Sequence, residues 1–195
     1  MLDRNLANVS GICHTLCREK RKQKPMKHSY GVLLHRYNSE GKLEVFLGHA
    51  NGPRYWPRKH DRKWGLPKGR ADKGELALET ALREFAEEVG IPAPDIKYKK
   101  LFKYATPHQK RITVFTGNAQ GLDVEYGGSM MHRIEWPVGS GEIVEYPEMD
   151  TAGWFTQKKA LKRVMWGQKG ILQHFFAKEK ARLRKKAAKA ARVEI

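Results

Sequence analysis

Cysteine is nearly absent from this 195-residue chain: Cys13 and Cys17 are the only two, and both lie among its first 25 residues. That excludes a disulfide-stapled secreted scaffold. Cys13, His14 and Cys17 also fall short of the full ligand set of a closed zinc site, because no partner pair follows. No apolar run approaches the roughly 18 residues of a spanning helix. The leader lacks the apolar core and cleavage site of a secretory signal. Internal repeats and long linkers are missing too, so one domain is expected over residues 26–177, with a cytoplasmic location and no membrane contact.

Acidic charge is the next scarcity. Lysine and arginine number 38 against 21 aspartate and glutamate, a net charge of +17. Residues 1–27 carry seven basic and two acidic side chains, and residues 178–195 carry eight and two. About two thirds of the excess therefore sits in two ends outside the expected core. Such ends suit contact with polyanions, including RNA or DNA, and equally suit a solvated basic helix. Residues 1–25 are expected to be a disordered basic extension or to precede the true start, because Met26 opens a β-rich run. Residues 178–195 are expected to continue a helix begun near Gln168, with Ile171, Leu172, Phe175 and Phe176 facing the core.

Against this background one stretch is dense in glutamate. Residues 69–91 read GRADKGELALETALREFAEEVGI. Neither glycine nor proline occurs from Glu75 to Val89, and helix formers dominate. At about 100° per residue, Glu84, Glu87 and Glu88 share one stripe. Leu78, Ala81, Leu82, Phe85 and Val89 share the neighbouring one. Gly90 and Pro92 then supply a left-handed cap and a helix stop. Like charges at i, i+3 and i+4 each cost about 0.2–0.5 kcal/mol, a cost that a bound cation would reverse. Hard oxygen ligands with room for water and phosphate suit Mg²⁺ or Mn²⁺. Two glycines, Gly69 and Gly74, bracket a polar turn just before the helix, allowing close backbone approach to a ligand.

The spacing of this stretch is that of the Nudix box: Gly69, five residues, Glu75, seven residues, Arg83-Glu84, an apolar residue, any residue, Glu87-Glu88, any residue, Gly90 and an apolar residue. Together with HSYGVLLHRYN, KLEVFLGHANGPRYWPRKHDRKWGLPKG and IEWPVGSGEIVEYPEMDTAGWF, it resembles a bacterial branch of Nudix NTP pyrophosphohydrolases across residues 26–176. The resemblance implies an α/β fold, an α/β/α sandwich around a mixed β-sheet. Local patterning agrees. Tyr30–Tyr37 and Leu43–Gly48 read as a hairpin, Tyr98–Tyr104 and Arg111–Thr116 as strands, Ala152–Phe155 as a short strand, and Thr156–Met165 as a helix.

The resemblance also implies Mg²⁺-dependent, or Mn²⁺-dependent, hydrolysis of a pyrophosphate bond in an NTP, a modified NTP or a dinucleoside polyphosphate. RNA 5′-end processing and a non-catalytic nucleotide or nucleic-acid binding module are the alternatives, and the protein is expected to be a monomer or homodimer. Glu84, Glu87 and Glu88 would hold the metal, with the Gly69 carbonyl as a further ligand. Arg83 would orient Glu84, and Glu75 would brace the loop and the first helical turn. Lys68 and Arg70 would face the phosphates. Glu148 would act as the base, with Glu145 as the second candidate. Trp64, Tyr55 and Trp56 could stack a nucleobase, although Trp64 equally suits a core cap. Trp136 and Trp154 are expected in the core, and His28, His35, His49 and His60 show no ligand spacing.

Overall fold

The computed structural model describes residues 27–51, 63–105 and 111–192. The expectations for residues 1–25, including Cys13 and Cys17, and for Tyr55, Trp56 and His60 lie outside the described residues. Two long strands, β1 (His28–Tyr37) and β2 (Leu43–Ala50), form the predicted hairpin through Asn38–Gly41. They pair only from His35 to Tyr37 and then part. Into the opening come two short strands, β3 (Trp64–Gly65) against β2 and β4 (Lys68–Gly69) against β1. The polar turn that precedes α1 (Ala77–Val89) is therefore anchored at both edges by sheet hydrogen bonds. β5 (Lys99–Ala105) and β6 (Arg111–Asn118) follow, with β6 parallel to β1 over eight residues.

A separate antiparallel pair comes next, β7 (Met131–Glu135) and β8 (Ile143–Pro147). β9 (Met149–Thr156) then returns antiparallel to β2 and completes a seven-stranded mixed sheet. The chain ends in α2 (Gln157–Arg163), a single 3₁₀ turn at Trp166–Gln168, and α3 (Lys169–Ala190).

Alternation along β1 and β2 sends side chains to opposite faces. Val32, Leu34 and Phe46 pack with Ala81, Phe85 and Val89 of α1. Leu33, Val45 and Leu47 pack with Ala160 of α2 and Ile171, Leu172 and Phe175 of α3. The layers are thus α/β/α, as the sequence implied. Buried Gln168 locks one layer to the other: its Oε1 accepts the Leu66 N–H at 3.0 Å, and so fixes the start of the loop.

Two expectations need correction, and two features are new. α1 begins at Ala77, because the Glu75 carboxylate is drawn back to the loop and the Leu76 N–H is capped by Glu79 at 3.3 Å. β9 is twice the expected length, since its first residues pair with the end of β2. The β7–β8 hairpin was not expected at all. Trp136 lies at its tip, 41% exposed rather than in the core. Trp154 meets its expectation, with its ring edge-on to Phe46 and its indole N–H donating to the Val124 carbonyl at 3.1 Å. Gly90 ends α1 with φ 82°, in the left-handed region that disfavours other residues.

Candidate active site

Arg83 is the hub of the site. Its Nε donates to Glu75 at 2.8 Å, Nη1 to Glu87 at 2.8 Å, and Nη2 to Glu84 at 3.1 Å and to the Arg70 carbonyl at 2.9 Å. One planar fork therefore ties three carboxylates of α1 and its approach to the preceding turn. Glu75 also accepts the Asp72 N–H and the Thr80 hydroxyl, both at 2.9 Å. With Arg83 alongside, its pKa is held down at about 2. Its bracing role is visible in these contacts.

Glu84 and Glu88 face inward, where α1 meets β4. The Glu84 carboxylate lies directly over Gly69: a β-carbon there would stand 1.9 Å from Oε2. Glu88 is only 3% exposed, and its Oε2 accepts the Lys68 N–H at 3.0 Å. Burial pushes the Glu88 carboxyl up to about 8, against the pull of the Lys68 charge and with a further push from Glu148 and Glu84. Burial also raises Glu84, and Glu148 adds to that rise. Glu148, on the turn between β8 and β9, is thus brought to the same acidic centre, and its Oε2 meets Nε2 of His132 at 2.8 Å. Glu145 is drawn aside by an ion pair with Arg133.

The donors fit a hard divalent cation in kind. Burial penalises the charge of Glu84 and Glu88, which hard cations favour as ligands, and Glu148 lies near enough for its charge to act on both. Among the described residues no three acidic or histidine side chains already converge on one point. Arg83 and the Lys68 amide hold the carboxylates instead, with Glu87 committed to Arg83. Lys68 is close enough for its charge to act on Glu88, while Arg70 is exposed and touches Arg83 through its carbonyl.

Trp64 packs edge-on against Phe155 at 4.5 Å, within the core that α2 and α3 cover rather than on the α1 side. It therefore caps the core and is not positioned to stack a base beside the glutamates. His49, buried and hydrogen-bonded to Asp150 at 2.6 Å, is structural. His132 escaped the sequence reading: sixteen residues separate it from Glu148 across a hairpin that the sequence did not reveal.

Gly69→Ala tests the close approach. Glu84 would have to leave its place while Arg83 still holds it. Turnover is expected to fall at least about tenfold with a much smaller loss of stability. Kinetics beside a thermal melt would check this; unchanged turnover would show that the contact is dispensable.

The NUDIX domain model matches residues 27–175. The chain belongs to the Nudix family. Its Nudix domain is 29% identical over 82 residues to an RNA pyrophosphohydrolase of Baumannia cicadellinicola subsp. Homalodisca coagulata, a match covering 40% of this chain and 52% of that protein. It is 32% identical over 92 residues to an asymmetrical bis(5′-nucleosyl)-tetraphosphatase of Rattus norvegicus, covering 45% and 63%. The chain thus spans between half and two thirds of the length of these curated relatives. Among solved structures, a C. elegans Ap4A hydrolase binary complex gives a TM-score of 0.53 at 20% identity, covering 78% of this chain and 98% of that one. A mutT/nudix family protein from Listeria innocua gives 0.56 at 17%, covering 83% and 98%. At these identities the structures establish the Nudix fold. Among the described residues no helix is long and apolar enough to cross a membrane.

Proposed function

We propose that this Nudix protein is a divalent-cation-dependent hydrolase that breaks a phosphoanhydride bond in a nucleoside polyphosphate: an NTP, a modified NTP or a dinucleoside polyphosphate. The observation that carries the reading is a buried Glu88, with Glu84 and Glu148 near it, against the Lys68–Gly69 strand that leads into the glycine-bracketed turn. Glu84, Glu88 and the Gly69 carbonyl would hold the cation. Glu87 secures Arg83 through one carboxylate oxygen and would offer the other to the cation. Bound Mg²⁺ or Mn²⁺ would neutralise phosphate charge and make water more acidic. Lys68 and Arg70 would steer the phosphates, and Glu148 would accept the proton of the attacking water, with His132 orienting it. Confinement of the two cysteines to the leader supports a cytoplasmic setting.

A panel of NTPs, modified NTPs and dinucleoside polyphosphates, run with Mg²⁺ and with Mn²⁺ and with both products identified, tests this reading. An NTP is expected to give a shorter nucleotide with phosphate or pyrophosphate, and a dinucleoside polyphosphate two nucleotides. Binding without release from any of them would favour a non-catalytic nucleotide-binding module.

A second reading, RNA 5′-end processing, is favoured by the basic half of α3. Gln168 sits beside Leu66 and Phe175 beside His35, so α3 runs away from the loop. Beyond Phe176 it is exposed apart from Glu179 and extends about 20 Å further at 1.5 Å per residue. Only a long substrate could touch both. Deleting residues 178–195 should then weaken turnover of a long 5′-triphosphorylated RNA, and flatten its salt dependence, without changing ATP hydrolysis. Equal turnover of that RNA by both proteins would remove the second reading.

A further inference from the structure

The β7–β8 hairpin stands apart from the seven-stranded sheet, yet one of its faces is joined to the acidic centre. The register pairs His132 with Tyr146 and Ile134 with Val144, and the Trp136 N–H bonds to the Glu142 carbonyl. Side chains alternate, so His132, Ile134 and Trp136 share one face with Tyr146 and Val144. That face is fixed in direction by His132, whose Nε2 meets Glu148 at 2.8 Å and whose ring stacks on Tyr146, with centroids 6.1 Å apart and planes 26° apart. On this face Ile134, Val144 and Tyr146 are half-buried while His132 and Trp136 are exposed, and on the other face Met131, Arg133, Glu135, Ile143 and Glu145 are all exposed. The hairpin therefore presents an aromatic and aliphatic ladder that begins at Glu148 and ends at Trp136.

In a chain of net charge +17, this ladder carries no lysine or arginine. Its chemistry suits an uncharged planar group and offers nothing to a phosphate. The loop that bears Lys68 and Arg70 has the opposite character.

We propose that this face of the hairpin seats the nucleobase of the substrate, with Trp136 and Tyr146 as the stacking surfaces. The assignment rests on the active-site reading above, which puts the phosphates at the end of the hairpin where His132 meets Glu148. A base laid along the hairpin sets which nucleotides are accepted, and Trp64, held in the core, has no part in it.

Trp136→Ala and Tyr146→Ala test the assignment against the outer-face control Ile143→Ala. Turnover and equilibrium binding are measured with ATP and with inorganic tripolyphosphate, which has no base. Base–aromatic stacking of ordinary strength corresponds to roughly tenfold or more in affinity. KM and Kd for ATP are expected to rise by about that factor in both hairpin variants, with kcat nearly unchanged. Tripolyphosphate binding should stay at the wild-type level, and Trp136→Phe should restore most of the ATP affinity. The control should match wild type throughout. Equal weakening of ATP and tripolyphosphate, unchanged ATP affinity, or the same loss in the control would each overturn the proposal, as would loss of self-association in the hairpin variants with no change in ATP binding. If wild type binds ATP but hydrolyses nothing, the hydrolase reading fails by itself, and the binding comparison still decides the role of the hairpin.

Discussion

Glu88→Gln is expected to reduce turnover by well over a hundredfold while the fold survives. Changes to residues that merely support a metal ligand cost about 10–100-fold, and Glu88 is proposed as a ligand itself. The same variant should also invert the usual penalty of mutating a buried residue. In the cation-free protein, burial places the Glu88 carboxyl at about 8, against an ordinary value of 4.5. The unfolded chain releases this proton at lower pH than the folded one. The stability linked to Glu88 is thus fully present below about pH 4.5 and is lost as pH rises through about 8. A shift of that size corresponds to on the order of 5 kcal/mol. Glutamine keeps the shape and the acceptor for the Lys68 N–H and has no proton to lose. In EDTA, wild type should lose stability between pH 5 and pH 8, and Glu88→Gln should lose much less. Mg²⁺ should stabilise wild type more at pH 8 than at pH 5, because it favours the ionised form. Parallel melting curves for the two proteins across that range would refute the burial argument.

Arg83→Lys should cost the protein both stability and turnover. Lysine keeps the charge, but a single ammonium cannot serve Glu75, Glu84, Glu87 and the Arg70 carbonyl together. Arg83 is 30% exposed, so water would take over part of what is lost. A net cost of about 2–4 kcal/mol is expected, or roughly 5–15 °C in melting temperature for a domain of this size. Turnover should fall about 10–100-fold through misplacement of Glu84 and the turn. A melting temperature within about 2 °C of wild type, with full activity, would show that the hub is an ordinary surface ion pair.

Much of this was legible in the sequence because it is local. The α1 stripe, its cap at Gly90 and the glutamate spacing depend on residues within a few turns of one another, and helical periodicity reports them directly. The β1–β2 hairpin carried its own turn signal at Asn38–Gly41. What the sequence withheld depends on distant pairing. The wedge of β3 and β4 between β1 and β2 involves strands of two residues, too short for any period to appear. The β7–β8 hairpin has many polar positions and a long connection, although alternation in HRIE and IVEY around PVGSG would have been its sign. Without that hairpin Trp136 looks like a core residue, and nothing links His132 to Glu148. Sequence alone left Trp64 between stacking and capping for a related reason: only the pairing of β3 with β2 turns it toward Phe155.

Direct titration of Mn²⁺, followed by loss of the free-ion electron paramagnetic resonance signal, tests the metal centre without any choice of substrate. Wild type is expected to show a saturable site that Mg²⁺ displaces, and Glu84→Gln/Glu88→Gln should lack it. Identical Mn²⁺ binding by both proteins, or none by wild type even with nucleotide present, would contradict a cation held at the α1 carboxylates.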